Sequence, residues 1–435
     1  MKVSLFQGVL MGIFGVAALA GLFVFATYSG SSGKSAVGTV VIWGTLPSAD
    51  IDSALVASAK IDQTLKNVSY VQKDPATLKD DLAAAIAMGK SPDLVLASQE
   101  ELLALAPFLS PTPLSTLPAA TFQNAFVSEG NLFAAPAGAG YYGIPFLVDP
   151  LVLYSNQAIL SSDGIAQVPS TWEALTGLVP NIAQLTPSRQ ITRGLIALGT
   201  YDNVHDARGI LSTLFLQTGV PLSGYSSTGV LSADLGSNTP GGSGVPPGQA
   251  VLGFYTQFAD PSKVSYTWNA SLPDSQTFFQ NGNLALYLGF ASEASYFAQA
   301  NPNLSYSVSP IPQPATAAAK ATYGLLYAFM TPKSAPNASG AYQAAVLLSN
   351  TAEQEVAAQA TGLAPAARAA LSSPPPNNPA ASVAYQSALY AEGWLSPEGT
   401  VTDPIFSGMI GNVISGRTTL ATALSSAESA LSAQL

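Results

Sequence analysis

At 435 residues the chain is about two to three times the length of an ordinary domain, and with 48% hydrophobic residues it can bury more than one small core. Charged residues make up only 9%, Lys+Arg 15 against Asp+Glu 25 for a formal net charge of -10, which excludes both extensive disorder and sequence-independent nucleic-acid binding. Cysteine is absent and His205 is the one histidine, so disulfides, thiolate metal sites and cysteine nucleophiles are ruled out, and any zinc site or Ser-His-Asp arrangement would have a single imidazole to work with.

In chain order, the first predicted element is the run from Gly8 to Ala26, GVLMGIFGVAALAGLFVFA, which carries no charge or amide. At about 1.5 Å per residue such a helix just spans a hydrocarbon core of about 30 Å. Its exit, Phe25-Ala26-Thr27-Tyr28, lacks the small-x-small pattern of a signal-peptide cleavage site. Residues 1–27 are therefore expected to be an uncleaved membrane anchor, with Lys2 holding the short N-terminal tail in the cytoplasm and the bulk of the chain outside the cell membrane. Residues 28–37, rich in Ser and Gly, read as a flexible tether.

Beyond the tether, Val40-Val41-Ile42-Trp43 has the unbroken apolar pattern of a buried strand and ends at Gly44. A helical stretch from Ala49 to about Leu65, a second strand at Val68 to Gln72, and a helix opened by Asp74-Pro75 and closed by Gly89 follow, with Leu78, Leu82 and Ile86 at a spacing of four. Leu94 to Ala97 is a third strand. This β-α-β-α-β series predicts a doubly wound lobe whose strand ends face a ligand crevice. Tyr142 to Phe146 and Leu151 to Tyr154 are two further apolar runs separated by Val148-Asp149-Pro150, where a second lobe is expected to begin. Its helices are expected over Thr171 to Ala183 and His205 to Thr218. Ser237 to Gly248 and Pro374 to Pro376 read as loops, and no internal repeat is present.

Motifs for catalysis are missing. Gly-Lys-Ser occurs at Gly33 and at Gly89, but Tyr28 and Ala84 stand where a phosphate-binding loop needs its first glycine. His205 opens a predicted helix, a capping or surface position. Asp149, Glu173, Asp202, Asp234, Glu293 and Asp403 show no spacing that would fix two carboxylates as a glycosidase pair. The aromatic residues are more telling: Trp43, Tyr141, Tyr142, Trp268, Phe290, Tyr323, Tyr327 and Trp394 fall at strand ends or in loops. Such residues either plug a core or offer flat faces to the C–H groups of a sugar.

Seven segments in order, VVIWGTL (from Val40), SPDLVLAS (Ser91), YGIPFLVDPLVLYSNQAIL (Tyr142), VPSTWEAL (Val168), FFQNGNLALYLGFASE (Phe278), TGLAPAARAAL (Thr361) and SGRTTLATALSSAESAL (Ser415), resemble the extracellular solute-binding proteins of ABC importers, in the sugar-binding cluster that includes the maltose-binding members. The resemblance covers Val40 to the C-terminus. The fold it implies is α/β, two-lobed and periplasmic-binding-protein-like (class II), behind an N-terminal transmembrane helix. Lobe 1 is expected over 38–148 plus 319–392 and lobe 2 over 151–312 plus 395–435, with crossovers near Val148 to Pro150, Ile311 to Lys320 and Ala391 to Pro397. The ligand stations it implies are Trp43, Gly44 and Thr45; Ser98 and Gln99; Asp149; Tyr201, Asp202 and Asn203; Phe290 and Ser292; Tyr323; and Trp394 as an exposed indole at the hinge. The lipoprotein cysteine of the family is absent, and Gly-Thr-Leu-Pro replaces the charged pair of the first loop. The implied function is to bind a small neutral solute, foremost a sugar or polyol, and to deliver it to an ABC permease by hinge closure, with no enzymatic activity and no cofactor or metal. A cell-surface glycan-processing enzyme and a carbohydrate-binding scaffold outside transport remain the alternatives.

Overall fold

The computed structural model describes residues 37–226, 228–236 and 244–435. The expected membrane anchor lies outside these residues, as do all of the expected tether except Val37 and the stretch 237–243 of the Gly/Pro loop. Among the described residues no helix is long and apolar enough to cross a membrane. Val37 belongs to the folded body: it is buried, and its carbonyl accepts a hydrogen bond from Asn337 Nδ2 at 2.9 Å.

The first strand, Val40–Gly44 (β1), buries Val40 and Ile42 and pairs in parallel with its two neighbours. Helix Ser48–Ile61 (α1) carries the chain to Val68–Gln72 (β2), and Leu78–Ala87 (α2) carries it to Leu94–Ser98 (β3), as a right-twisted βαβ arrangement requires. The helix predicted as far as Leu65 stops at Ile61, because Asp62 leaves the helical conformation and its carboxylate accepts from Thr64 N at 2.8 Å, starting a separate 3-10 turn. Likewise α2 begins three residues after Pro75, since Asp74 Oδ1 first binds Ala76 N at 2.9 Å in a turn. Gly89 closes α2 at φ +67, a left-handed conformation that glycine adopts without cost.

The sheet continues through Gly143–Asn156 (β4), Ile191–Ile196 (β5), Leu284–Phe290 (β6), Tyr306–Pro310 (β7), Thr322–Met330 (β8) and the short Ala391–Glu392 (β9), in the order β2-β1-β3-β8-β4-β6-β5, with β7 also on β4 and β9 on β8. The two apolar runs predicted around Val148-Asp149-Pro150 are one strand. All 14 residues of β4 are buried, which explains the absence of polar alternation. Its partners change along its length: Gly143 to Pro150 face β8, whereas Leu151 to Ser155 face β6 and Val152 to Asn156 face β7. Pro150, which has no N–H to give, falls at that change, and its carbonyl accepts from Ala291 N at 3.0 Å.

The predicted helix Thr171 to Ala183 divides into Trp172–Thr176 and Val179–Ile182, since Pro180 has no N–H to bond back to the preceding turn. The helix predicted from His205 starts at Ala207 (Ala207–Gln217, α3), because Asp206 sits in the left-handed region at φ +55. Two long helices, Gly399–Ile414 (α4) and Leu420–Ser432 (α5), end the chain.

One continuous apolar core joins the sheet to its helices, and neutral amides bind the backbone groups buried inside it. Gln354, fully buried, donates from Nε2 to Pro145 O and Ser349 O, each at 3.1 Å, and accepts from Ala367 N at 2.8 Å. A Gln354→Leu substitution strips three buried backbone groups of partners and is expected to cost about 2–4 kcal/mol of stability, read from the midpoint of a denaturant melt.

Candidate functional site

The loops that follow β1 and β3 meet the first turns of α3 and α4 around a cavity of about 360 Å³. Thr45 comes from the first loop, Ser98, Glu100 and Glu101 from the second, Arg208 from α3, and Gly399, Thr400 and Asp403 from α4. Parallel strands necessarily release their loops at their C-terminal ends, so β1 and β3 deliver polar residues to one place.

Arg208 ties these elements together. Its Nη2 lies 2.7 Å from Glu100 Oε2 and its Nη1 lies 3.6 Å from Asp403 Oδ1. Tyr201 OH donates to the same Asp403 oxygen at 2.7 Å, and Tyr323 OH donates to Glu100 Oε1 at 2.5 Å. Gly399 is needed where it stands, since a Cβ there would overlap Arg208 Nη1. Burial works against the guanidinium's charge, but Glu100, with Tyr323 and Asp403, more than offsets it and holds the arginine pKa above its ordinary value. Nη1 has no hydrogen-bond partner among the described residues, so a buried donor remains unused beside the cavity. Burial pushes Glu101 up to about 7 although Ser98 Oγ donates to it at 2.6 Å.

A second polar cluster lies where β4, β6 and α3 converge. Asp149 on β4 is buried and accepts from Ser292 N at 3.1 Å, and burial pushes its carboxyl up to about 7. Glu293 accepts from Phe290 N at 2.7 Å and from Gln276 Nε2 and Tyr287 OH at 2.6 Å each. Burial and the Asp206 charge raise Glu293 well above the usual carboxylate range, and burial pushes Asp206 up to about 6. His205, Asp206 and Glu293 hold one potential donor atom each within 4.8 Å of one another, the one group among the described residues with metal-donor spacing.

The structure brings some of the expected ligand residues to the cavity and gives others work inside the protein. Thr45 and Ser98 line the cavity. Trp43 is half-buried at the end of β1, with the Lys73 ammonium 4.0 Å from its ring centre. Phe290 is half-buried, its ring centre 6.4 Å from that of Tyr323. Asp202 accepts from Ser407 Oγ at 2.7 Å and so faces α4.

Five expectations are corrected. Gly44 does not offer an open backbone face: a Cβ there would come within 2.6 Å of Leu96 O and 2.8 Å of the Tyr70 ring. Gln99, fully buried, donates to Gly324 O at 2.7 Å and accepts from Leu326 N at 2.7 Å, pinning β8. Asn203 donates to Asn269 O and Leu272 O and accepts from Thr200 Oγ1 and Trp268 Nε1, which uses its whole amide. Tyr323 is buried and gives its hydroxyl to Glu100. Trp394, expected as an exposed indole, is 1% exposed; its Nε1 donates to Ser212 Oγ at 2.9 Å and its ring packs 6.2 Å from Phe406. It borders a different cavity, of about 580 Å³, together with Leu132, Tyr225 and Gly393.

Glu100, Arg208 and Asp403 are the residues that sequence reading missed. In a chain with so few charges, a Glu-Glu pair directly after the third strand and an arginine just inside a helix start were the available signal.

Two outcomes follow from this geometry. Trp394→Ala is expected to cost about 3–5 kcal/mol, and Trp43→Ala only about 1–2 kcal/mol, in denaturant melts of the free protein. Because the Asp149 pKa is raised in the fold, its contribution to stability is complete below its ordinary value of 3.8 and is lost as pH rises through about 7. Asp149→Asn, which mimics the protonated acid, should flatten the fall in melting temperature across that window; an unchanged slope would assign the proton elsewhere.

With this geometry in place, comparison gives three findings. The model of the family described as "Bacterial extracellular solute-binding protein" matches residues 58–383. No curated protein matches the chain in sequence. Among solved structures, a cyclo/maltodextrin-binding protein complexed with maltotetraose is similar at TM-score 0.71 and 17% identity, covering 92% of this chain and 97% of its own. The cyclic alpha-maltosyl-1,6-maltose binding protein of Arthrobacter globiformis has TM-score 0.72 and 15% identity, covering 91% and 98%. The Thermus thermophilus maltotriose binding protein has TM-score 0.63 and 16% identity, covering 91% and 99%.

Proposed function

The chain belongs to the bacterial extracellular solute-binding proteins, and from that premise we propose that it captures a small carbohydrate outside the cytoplasm and delivers it to an ABC permease. The observation that carries the reading is the cavity in which Arg208 bridges Glu100, after β3, to Asp403, on α4. In this reading residues 38–148 plus 319–392 form one lobe and 151–312 plus 395–435 the other, so the bridge crosses between them. A hydroxylated solute suits the site chemically. It offers acceptors to the unused Nη1 of Arg208 and donors to Glu101 and Asp403, while the half-buried rings of Trp43 and Phe290 can cover its C–H faces. Thr45, Ser98, Tyr201 and Ser292 complete the proposed ligand shell, with Asp149 holding the Ser292 backbone from behind. Closure would follow from contacts that both lobes make only through the solute.

The solved relatives support the choice of carbohydrate, since those named above are described as binding malto-oligosaccharides. Against a glycan-processing enzyme, the close carboxyl pair, Asp206 and Glu293, does not line the cavity. The proposed membrane anchor, residues 1–27, would keep the binding domain near its permease in place of a lipid-modified cysteine.

A thermal-shift screen over malto-oligosaccharides, monosaccharides and polyols, followed by calorimetry on each hit, tests the reading. Arg208→Gln is expected to weaken the best hit about 10- to 100-fold while leaving the melting temperature of the free protein within a few degrees. Small-angle scattering should show a smaller radius with solute bound, and chromatography of the recovered solute should show it intact. Stabilisation by no carbohydrate, or recovery of cleaved sugar, would overturn the proposal.

A further inference from the structure

One buried acid plays no part in the cleft. Glu129 stands on the 3-10 turn Ser128–Phe133; it is 4% exposed, and neither carboxyl oxygen has a hydrogen-bond partner among the described residues. Two glycines close over it. A Cβ on Gly324, at the start of β8, or on Gly393, just past β9, would come within 2.9 Å of one of its oxygens. Those glycines belong to the strands that pass between the proposed lobes, so the carboxyl is lodged in the hinge itself.

Nothing around it stabilises a charge. From the loop after β3 comes Gln99, whose amide is taken by Gly324 O and Leu326 N. From β8 comes the Tyr323 phenol, already given to Glu100. From β9 comes Glu392, which repels a second negative charge. The turn itself contributes the apolar Leu132 beside Gly393, and Arg368, which reaches the same turn, ends on Ser128 Oγ at 2.9 Å. Burial first, and Glu392 second, push the Glu129 carboxyl up to about 8. An ionised carboxylate in such a place, without donors, costs far more than keeping a proton.

Leu132, Glu392 and Gly393 border the cavity of about 580 Å³, and rotation about Gly393 would lift β9 from the turn and open the carboxyl to that space. We propose that Glu129 is a proton-dependent clasp of the hinge: with its proton it lets β9 and Gly324 pack closed over it, and without the proton it draws in water and loosens the crossover. Since the closed form raises its pKa, the clasp is complete below the ordinary carboxyl range and is lost as pH rises through about 8. Gln99 and Tyr323 carry the effect to Glu100 and Arg208, so a loosened hinge would also disturb the cleft. The hinge and this transmission rest on the two-lobe closure reading above; the protonation and packing of Glu129 do not.

The experiment compares the full chain with Glu129→Gln and Glu129→Met, both neutral at every pH, in the absence of solute. Infrared difference spectra of wild type minus Glu129→Gln should contain the carbonyl stretch of a protonated carboxyl at neutral pH, lost on going to alkaline pH. Over the same range, small-angle scattering should show the wild type expanding and both variants holding a constant radius. If one variant fails to fold, the other still gives the comparison. Absence of the carboxyl band at neutral pH overturns the proposal, because Glu129 is then ionised within a closed hinge. A band that titrates while the radius stays constant, or an expansion equal in the variants, also overturns it. A failure to bind any sugar changes neither readout and bears only on the carbohydrate reading.

Discussion

The backbone hydrogen bonding of β4 is the constraint on which the rest depends. One fourteen-residue strand, buried along its length, gives its first part to β8 and its last part to β6 and β7. Because every peptide group of a buried strand must be paired, β4 cannot slip relative to one set of partners without breaking with the other. Pro150 is tolerated at the change of partners, and Asp149 beside it is thereby held under the backbone of Ser292. The position of the second polar cluster follows from that register.

Sparse charge shapes the molecule in a second way. The buried backbone groups are satisfied by neutral amides, with Gln99 holding β8, Gln354 holding the start of β4 and Asn203 holding the loop before α3. These side chains bind peptide groups without the desolvation penalty of an ion. At the cavity, by contrast, charged groups meet one another, Arg208 with Glu100 and Asp403. An ion pair between elements distant in sequence contributes little to stability when exposed, but it fixes orientation, which a solute-binding cleft requires.

Five acids do not fit this arrangement. Glu101, Asp149, Glu129 and the Asp206–Glu293 pair are buried with no cation in contact, and each has its carboxyl raised. Retaining a carboxyl where an amide would be cheaper makes the molecule responsive to pH beside the cavity, at the second polar cluster and under Gly324 and Gly393. For a protein working outside the cytoplasm, where pH is less closely held, that response is a physical consequence of the fold.

The elements of the fold were legible in the sequence because their signals are local: unbroken apolar runs for β1 and β3, two apolar runs that join as β4, a spacing of four for α2, and a glycine at its end. The resemblance of seven ordered segments reached the family for the same reason, since each segment is short and self-contained. Boundaries moved where a single side chain or proline competed with the helix, at Asp62, Asp74, Pro180 and Asp206. The roles of side chains were decided only by tertiary structure. Trp394 reads from sequence as an indole in an irregular crossover, and only α3, which brings Ser212, and α4, which brings Phe406, make it core. Gly44, Gln99, Asn203 and Tyr323 were expected to face a ligand but face other parts of the protein. Arg208 and Asp403 are separated by almost two hundred residues and share no pattern. Whether a side chain points at solvent, solute or backbone depends on what the rest of the chain packs against it, and no local spacing encodes that.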